Sequence, residues 1–214
     1  ITSNQMFLFV VNVPYLDGIS TLDLSGVGKL VLDDSGFAGA YDSLKNLDIS
    51  NVGLTGTLKS SWFSRKTIEA LDVSKNSLID LRKEHMKFFP KLRYFNASFN
   101  EIKFLEPNTF LESKKLEVIS LSHNNLPNVH FDNLPNLVAL YLRSNLLTNM
   151  YGAYINMPKL ETLNVAENNI AVIADRSFVT LESLKYLNVS NNKLPHIGSY
   201  WFGGCDKTKL TEID

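Results

Sequence analysis

Cysteine is almost absent from this sequence, because Cys205 is the one cysteine among 214 residues. A lone cysteine excludes an internal disulfide. Two interpretations of Cys205 stay open at this point. It is either a small buried hydrophobic side chain, the usual setting of a free cysteine, or a thiol that bonds a second molecule or a segment outside this sequence.

Excess charge of one sign and long apolar runs are lacking as well. Lys and Arg total 21 against 22 Asp and Glu, so the formal net charge is -1. This balance argues against nucleic acid or an anionic membrane as the main partner. The apolar run at residues 6–11 is far shorter than the ~18 residues that a membrane helix needs. We therefore expect no membrane insertion by this segment, and interpret residues 6–11 as a strand that covers the open end of the first structural unit.

Catalytic motifs are missing too. The sequence contains no G-x-S-x-G, no P-loop, no H-E-x-x-H and no C-x-x-C, and these are the spacings that most directly indicate hydrolytic, phosphate-binding, zinc or redox chemistry. The four histidines share no position in the repeat described next; they are His85, His123, His130 and His196. We predict a non-enzymatic protein without catalytic residues, cofactor or bound metal.

The sequence does contain a leucine-rich phrase, L-x-x-L-x-L-x-x-N-x-L, which returns about every 24 residues. The first aliphatic residue of successive units falls at Ile19, Leu44, Ile68, Leu92, Leu116, Leu137, Leu160, Leu184 and Leu210. So regular a period indicates a solenoid, in which stacked units bury one continuous core. Positions within a repeat are numbered here from that first residue. We expect eight full repeats and the start of a ninth.

Each letter of the phrase has a physical reason. Aliphatic positions 4 and 6 alternate with polar neighbours, as in a short strand that buries one face, and successive strands stack into one parallel sheet. The Asn at position 9 can bond backbone groups that are left unpaired where the chain turns out of the strand. Val27 and Val52 replace this Asn in the first two repeats. We expect these two turns to be held by packing alone, and the N-terminal part to be less regular.

Large apolar side chains also recur at position 19 of the repeat, and we call this set the outer register. We expect these side chains to fill the outer, convex side of the core: Phe37, Trp62, Met86, Phe110, Phe178 and Phe202. With the leucine phrase, this makes the chain resemble the typical 24-residue class of leucine-rich repeat proteins, found mostly in extracellular modules such as Toll-like receptor ectodomains and insect immune proteins. The resemblance covers residues 19–214. It implies an α/β solenoid, a horseshoe with a concave parallel sheet and an irregular or short-helical convex side, preceded by a capping strand or flank at residues 1–18.

Two N-x-S sequons occur at position 5, at Asn96 and Asn188. If the protein is secreted, as the resemblance implies, glycans on these residues would stand on the concave face. The same position holds Asp23, Asp48 and Asp72, which we call the acidic stripe. Adjacent strands lie ~4.8 Å apart, so the three carboxylates repel one another. The stripe is interpreted first as a solvated polar face, and alternatively as a contact for a basic partner or a cation.

Larger side chains interrupt the small polar residues of the concave face in the middle and later repeats. Exposed Tyr and Arg often anchor protein interfaces, because they combine large contact area with directional polar groups. We call this set the inner-face patch and predict that it binds the partner: Tyr94, Phe99, His123, Tyr141, Arg143 and Tyr186. The alternative is that these rings only cover the pleats of their own sheet.

Three classes of function are compatible with such a surface. The resemblance favours an extracellular recognition module that binds a protein ligand or co-receptor in immunity, adhesion or receptor signalling. An intracellular scaffold or regulatory subunit would suit a lone reduced cysteine. Self-association, as a homo- or hetero-dimer, is the third class. We adopt the extracellular interpretation.

Overall fold

The structure is a computed structural model that describes residues 8–11, 18–32, 37, 43–59, 62–63, 67–150, 154–155, 157–198, 200–203 and 209–214. In chain order its elements are β1 (Leu8–Val11), β2 (Thr21–Asp23), β3 (Lys29–Leu32), β4 (Asn46–Asp48), β5 (Thr55–Gly56), β6 (Ala70–Asp72), β7 (Ser77–Leu78), β8 (Asp80–Leu81), α1 (Lys83–Met86), β9 (Tyr94–Asn96), β10 (Phe104–Leu105), β11 (Val118–Ser120), β12 (Phe131–Asp132), β13 (Ala139–Tyr141), β14 (Tyr154–Ile155), β15 (Thr162–Asn164), β16 (Tyr186–Asn188) and β17 (Glu212–Ile213).

One strand from each repeat joins a nine-stranded parallel sheet, in the order β2-β4-β6-β9-β11-β13-β15-β16-β17. The register is set by the repeat, because the residues at position 4 align across all nine strands. Leu47, for example, lies between Leu22 and Leu71. The predicted leucine-rich repeat solenoid, with its parallel concave sheet, is confirmed.

The convex side returns each repeat with little regular structure. Short two-stranded ladders pair β5 with β7, β8 with β10 and β12 with β14, and α1 is the one helix in the described part of the chain. The predicted irregular or short-helical convex side is therefore observed. No helix among the described residues has both the length and the apolarity that crossing a bilayer requires.

The core lies between the sheet and the convex side and runs the length of the stack. Leucines such as Leu71 and Leu163 are fully buried. Outer-register side chains at position 19 are buried as predicted in Phe37, Trp62, Met86, Phe110 and Phe178. In the last full repeat Phe202 is half-buried and packs against the core as predicted, and its neighbour Trp201, which was not predicted, is the more deeply buried ring. Both rings pack on Phe178, so one aromatic contact is shared by two neighbours. The predicted burial of Cys205 falls outside the described residues.

Buried asparagines at position 9 form the predicted ladder. The Nδ2 group of Asn124 donates to the Leu121 carbonyl of its own repeat and to the Ala97 carbonyl of the repeat before, at 3.0 Å each. Its Oδ1 accepts the Ile102 N–H at 2.9 Å. Each such amide bonds two successive turns. The same arrangement recurs at Asn76, Asn100, Asn145, Asn168 and Asn192.

The turn at Val52 differs from expectation. Packing alone was predicted to hold it, yet Asn76 of the next repeat accepts the N–H groups of Val52 and Leu54 at 3.1 and 3.0 Å. That prediction was wrong for the second repeat. Each amide bonds its own turn and the turn of the repeat before it, so the turn at Val52 lacks its own amide but still receives the acceptor that Asn76 supplies.

The apolar run near the N-terminus forms β1, which pairs in parallel with β3 and not with the nine-stranded sheet. On the other edge of β3, the Leu30 N–H donates to the Val52 carbonyl of the second repeat at 2.7 Å. A strand has two edges, so β1 lies on the side of the first repeat that faces away from the stack. That β1 covers the open core, and that a flank ends at residue 18, remain predictions.

Candidate functional site

Side chains at position 5 of the repeat point out of the concave sheet and turn back onto their own backbone. In the acidic stripe, the Oδ1 atoms of Asp23, Asp48 and Asp72 each accept the N–H of the serine two residues later, at 2.8 Å. The asparagines at this position, Asn96, Asn164 and Asn188, accept the N–H two residues on at 3.0–3.1 Å. Position 5 is therefore a turn-forming site, which explains why short Asp and Asn side chains recur there.

These hydrogen bonds give the carboxylates of the acidic stripe a structural role. Hydrogen bonds from the Ser25 side chain and backbone lower the pKa of Asp23 below its usual range. The second oxygen of Asp72 accepts the Asn96 amide at 2.7 Å. The stripe borders an open depression of about 290 Å³, whose lining also includes Ala70 and Tyr94. A structural reason for the carboxylates is thus visible, and a basic partner for them stays a prediction.

The two sequons are instances of the same turn. In each, the serine hydroxyl also donates to the asparagine Oδ1, at 2.6 Å in Asn96 and 2.7 Å in Asn188. The Nδ2 atom that would carry a glycan donates to Asp72 in Asn96, and to Tyr186 at 2.9 Å in Asn188. The repeat therefore generates N-x-S for a structural reason, and glycosylation stays a prediction.

Tyr94 is the largest side chain at position 3 near the centre of the sheet, and it is 39% exposed. Its neighbours in the same row are Ala70 and Val118. Burial of part of the ring raises the pKa of Tyr94, and the nearby Asp72 and Asp48 carboxylates raise it further, with a contribution from Tyr141. The phenol therefore stays protonated at neutral pH and offers a donor beside the acidic stripe.

Phe99 and His123 occupy position 8, where the strand ends and the chain turns. Their rings stack with centroids 4.1 Å apart and an interplanar angle of 10°, and Phe99 is 51% exposed. Both residues have left-handed backbone, with φ of 56° and 55°. This conformation costs a bulky L-residue on the order of 1 kcal/mol. The repeat imposes it on every described position 8, so the strain belongs to the fold.

Arg143 and Glu167 form an ion pair across two repeats beside this stack. The Arg143 Nη2 group donates to Glu167 Oε1, and the Ser144 hydroxyl donates to the other Glu167 oxygen. These two hydrogen bonds, in that order of effect, lower the pKa of Glu167 to about 2, with a further contribution from His123. The carboxylate is thus charged at all physiological pH values and holds a guanidinium that is 50% exposed.

Tyr186 lies apart from the rest of the inner-face patch. Its strand β16 is four positions along the sheet from β9, or ~19 Å at ~4.8 Å per strand. Its hydroxyl donates to Asp214 at 2.7 Å, which raises the pKa of Tyr186. The structure therefore groups Tyr94 and Tyr141 on the sheet, places Phe99, His123 and Arg143 at its edge, and leaves Tyr186 with the C-terminal strands.

Sequence reasoning missed Glu167 and a row of charges on one flank. Position 2 of the repeat alternates in sign, and the pairs Lys45–Glu69, Arg93–Glu117 and Lys185–Glu161 meet at 3.4, 2.8 and 2.8 Å. Both features carry a signal that was available in the sequence, namely opposite charges about 24 residues apart. Exposed pairs of this kind contribute little stability individually. On the flank these pairs neutralise the charges of neighbouring repeats.

The described residues contain no group of three His, Cys, Asp or Glu side chains arranged to hold a metal ion. The hollows among them are open depressions, such as the one of about 370 Å³ lined by Arg93, Lys115 and Glu117 on the flank. Such a surface offers broad contact to another macromolecule.

Comparison with known proteins agrees with this geometry. The family model described as leucine rich repeat matches residues 90–147 and 158–211, just over half of the chain. The chain belongs to the leucine-rich repeat family. Family membership, together with relatives that are named as receptors, confirms the prediction of a non-enzymatic repeat module.

Relatives named as receptors match most of this chain, and a solved structure shares its fold. Receptor-like protein 18 of Arabidopsis thaliana is 26% identical over 90% of this chain and 25% of its own length. Toll-like receptor 2 type-2 of Gallus gallus is 28% identical over 83% of this chain and 22% of its own length. The crystal structure of an internalin from Listeria monocytogenes superposes with a TM-score of 0.69 and 21% identity, covering 82% of this chain and 49% of that one. The chain thus spans about a quarter of the two receptors.

Proposed function

We propose that this chain is a protein-binding module of a secreted or cell-surface leucine-rich repeat protein, which recognises a protein ligand or co-receptor in immunity, adhesion or receptor signalling. The observation that carries the proposal is the pair of exposed aromatic side chains, Tyr94 and Phe99, on a face where position 5 is held mostly by short polar residues. The receptor names of its relatives support the setting.

The proposed contact surface is the middle of the concave face. Tyr94 and Tyr141 lie two strands apart in the sheet, with β11 between them, and Arg143 follows Tyr141 by two residues on the same side of the chain. Residues of these types supply most of the binding free energy at protein interfaces. The small Ser120 between the two tyrosine strands leaves room for a partner side chain.

The experiment begins with a partner identified by proximity labelling of the chain displayed on cells of its native source. The affinity of that purified partner is then measured by biolayer interferometry. Replacement of Tyr141 and Arg143 together by Ala is expected to weaken binding at least about tenfold. Replacement of Glu161 and Lys185 by Ala, an exposed pair on the flank, is the matched control and is expected to change affinity less than about twofold.

Circular dichroism of both variants establishes that the fold is retained. An unchanged affinity of the Tyr141/Arg143 variant, with the fold intact, would move the binding surface away from the concave face. Mass spectrometry of Asn96 and Asn188 on native material tests the extracellular setting separately, because N-glycans are added only in the secretory pathway. Light scattering at several concentrations tests for dimers.

A further inference from the structure

Position 8 of the repeat has one backbone conformation throughout, and in two neighbouring repeats it carries an aromatic ring. All described residues at this position have left-handed backbone, from Gly26 at φ 68° to Asn191 at φ 54°. Gly adopts this region freely and Asn and His are enriched in it, whereas a bulky side chain such as Phe is unfavourable there. Phe99 therefore stands against the preference of the turn that holds it, and its ring stacks on His123 of the next repeat.

The stack of these two rings is placed beside an ordered cation. Phe99, His123, Ser144 and Glu167 follow one another along position 8 of four consecutive repeats. Glu167 fixes Arg143 and Ser144 at the end of this row. One guanidinium N–H is used by Glu167, and the half-exposed group has further donors. The His123 N–H donates to the Arg143 carbonyl at 2.8 Å, so the ring stack and the held guanidinium belong to adjacent repeats at the rim of the sheet.

We propose that the Phe99–His123 stack and Arg143 form the specificity-determining rim of the binding surface, fitted to a protein segment that presents an apolar side chain next to a carboxylate. The inference rests on the proposed function, since it names the chemistry of the partner at one edge of the same face. We assign the carboxylate to the donors of the planar Arg143 fork that remain beside the one bonded to Glu167. We assign the apolar side chain of the partner to the exposed edges of the stacked Phe99 and His123 rings.

Pre-organisation strengthens this assignment. Arg143 is a long side chain that would lose conformational freedom on binding, and its bond to Glu167 orders it in advance. Glu167 acts here as a positioning residue, because it contacts the partner only through Arg143. The Ser144 hydroxyl bonds the second oxygen of Glu167 and so fixes the carboxylate in turn.

The test uses a random twelve-residue peptide library displayed on phage and selected on the intact chain. Enriched peptides are expected to carry Asp or Glu beside Leu, Phe or Trp. The affinity of one such synthetic peptide is then measured by fluorescence anisotropy. Phe99→Asn and His123→Asn, which keep the left-handed turn, are each expected to weaken binding at least about tenfold. Asn191→Gly, at the same position of a later repeat, is the control and is expected to change affinity less than about twofold.

Three outcomes decide the matter. Loss of affinity with melting temperatures within a few degrees of the parent protein supports the rim. Affinity that is unchanged by Phe99→Asn and His123→Asn overturns the proposal, even if Tyr94→Ala abolishes binding, and in that case the concave surface stands without its rim. Lower melting temperatures with unchanged affinity show that the rings only cover their own sheet. Replacement of the acidic residue of the peptide by its amide is expected to have little additional effect once Arg143 is Ala.

Discussion

Removal of one amide from the asparagine ladder tests how the repeats are joined. In Asn124→Ala the side chain that bonds two consecutive turns is lost, while the aliphatic frame around it remains. Ala has no group that can replace the amide. The site is buried, so water cannot reach the groups that lose their partners.

The magnitude follows from those groups. The Ile102 N–H loses its acceptor at 2.9 Å, and the carbonyls of Ala97 and Leu121 lose a donor at 3.0 Å each. An orphaned buried N–H costs about 1–3 kcal/mol, and a carbonyl with a second lone pair to spare costs less. We expect a total loss of about 2–5 kcal/mol in the free energy of unfolding, shared between the fourth and fifth repeats.

Urea denaturation followed by circular dichroism measures the loss, with Asn125→Ala as the matched control. Asn125 is the next residue and is exposed, so its replacement is expected to change stability by less than about 0.5 kcal/mol. Hydrogen exchange provides a local measurement, in which the Ile102 amide loses protection in Asn124→Ala alone. If both variants unfold at the urea concentration of the parent protein, the ladder does not hold the turns and the reasoning fails.

Three further predictions concern stability. Leu163→Ala should cost about 2–5 kcal/mol as a cavity in the core, whereas an exposed change such as Lys193→Ala should be nearly neutral in the same denaturation assay. Burial lowers the pKa of His85, whose Nδ1 accepts the Arg82 N–H. The unfolded chain therefore binds more protons below about pH 6.5, so the free energy of unfolding should fall as pH falls from 7.5 to 5.5. The fall should be less steep in His85→Gln, and the same dependence on pH in both proteins would refute this. Deletion of residues 1–16 should lower the melting temperature or the solubility, and a truncated chain that matches the parent in both would show that the first repeat needs no cover.

The sequence predicted those features that repeat. Strand position, register and the asparagine ladder all follow from residues that recur about every 24 positions, because every unit solves the same packing problem with the same side chains. Even the outer aromatic register was predicted for most repeats. It missed Trp201, which is buried beside Phe202 and packs with it on Phe178.

Contacts that reach between repeats were harder to predict. The sequence shows that Val52 lacks an amide, but only the structure shows that Asn76 supports the turn at Val52 from the next repeat. Similarly, Arg143 was assigned to the concave face, while its partner Glu167 was missed, although a spacing of 24 residues hints at the pair and the side-chain rotamers then decide whether it forms. The rows of the candidate site were thus predictable, and the pairing within and between rows was not.

The turn at position 5 has an evolutionary consequence. Asp23, Asp48 and Asp72 are each followed two residues later by Ser, so one Asp→Asn exchange at any of them would create an acceptor for a sugar while keeping the side-chain oxygen that caps the turn. The reverse exchange at Asn96 or Asn188 would erase one just as simply. A single substitution can thus add or remove a glycan on one strand of the concave sheet, and so cover or expose that strand, while the turn and the core beneath it are kept.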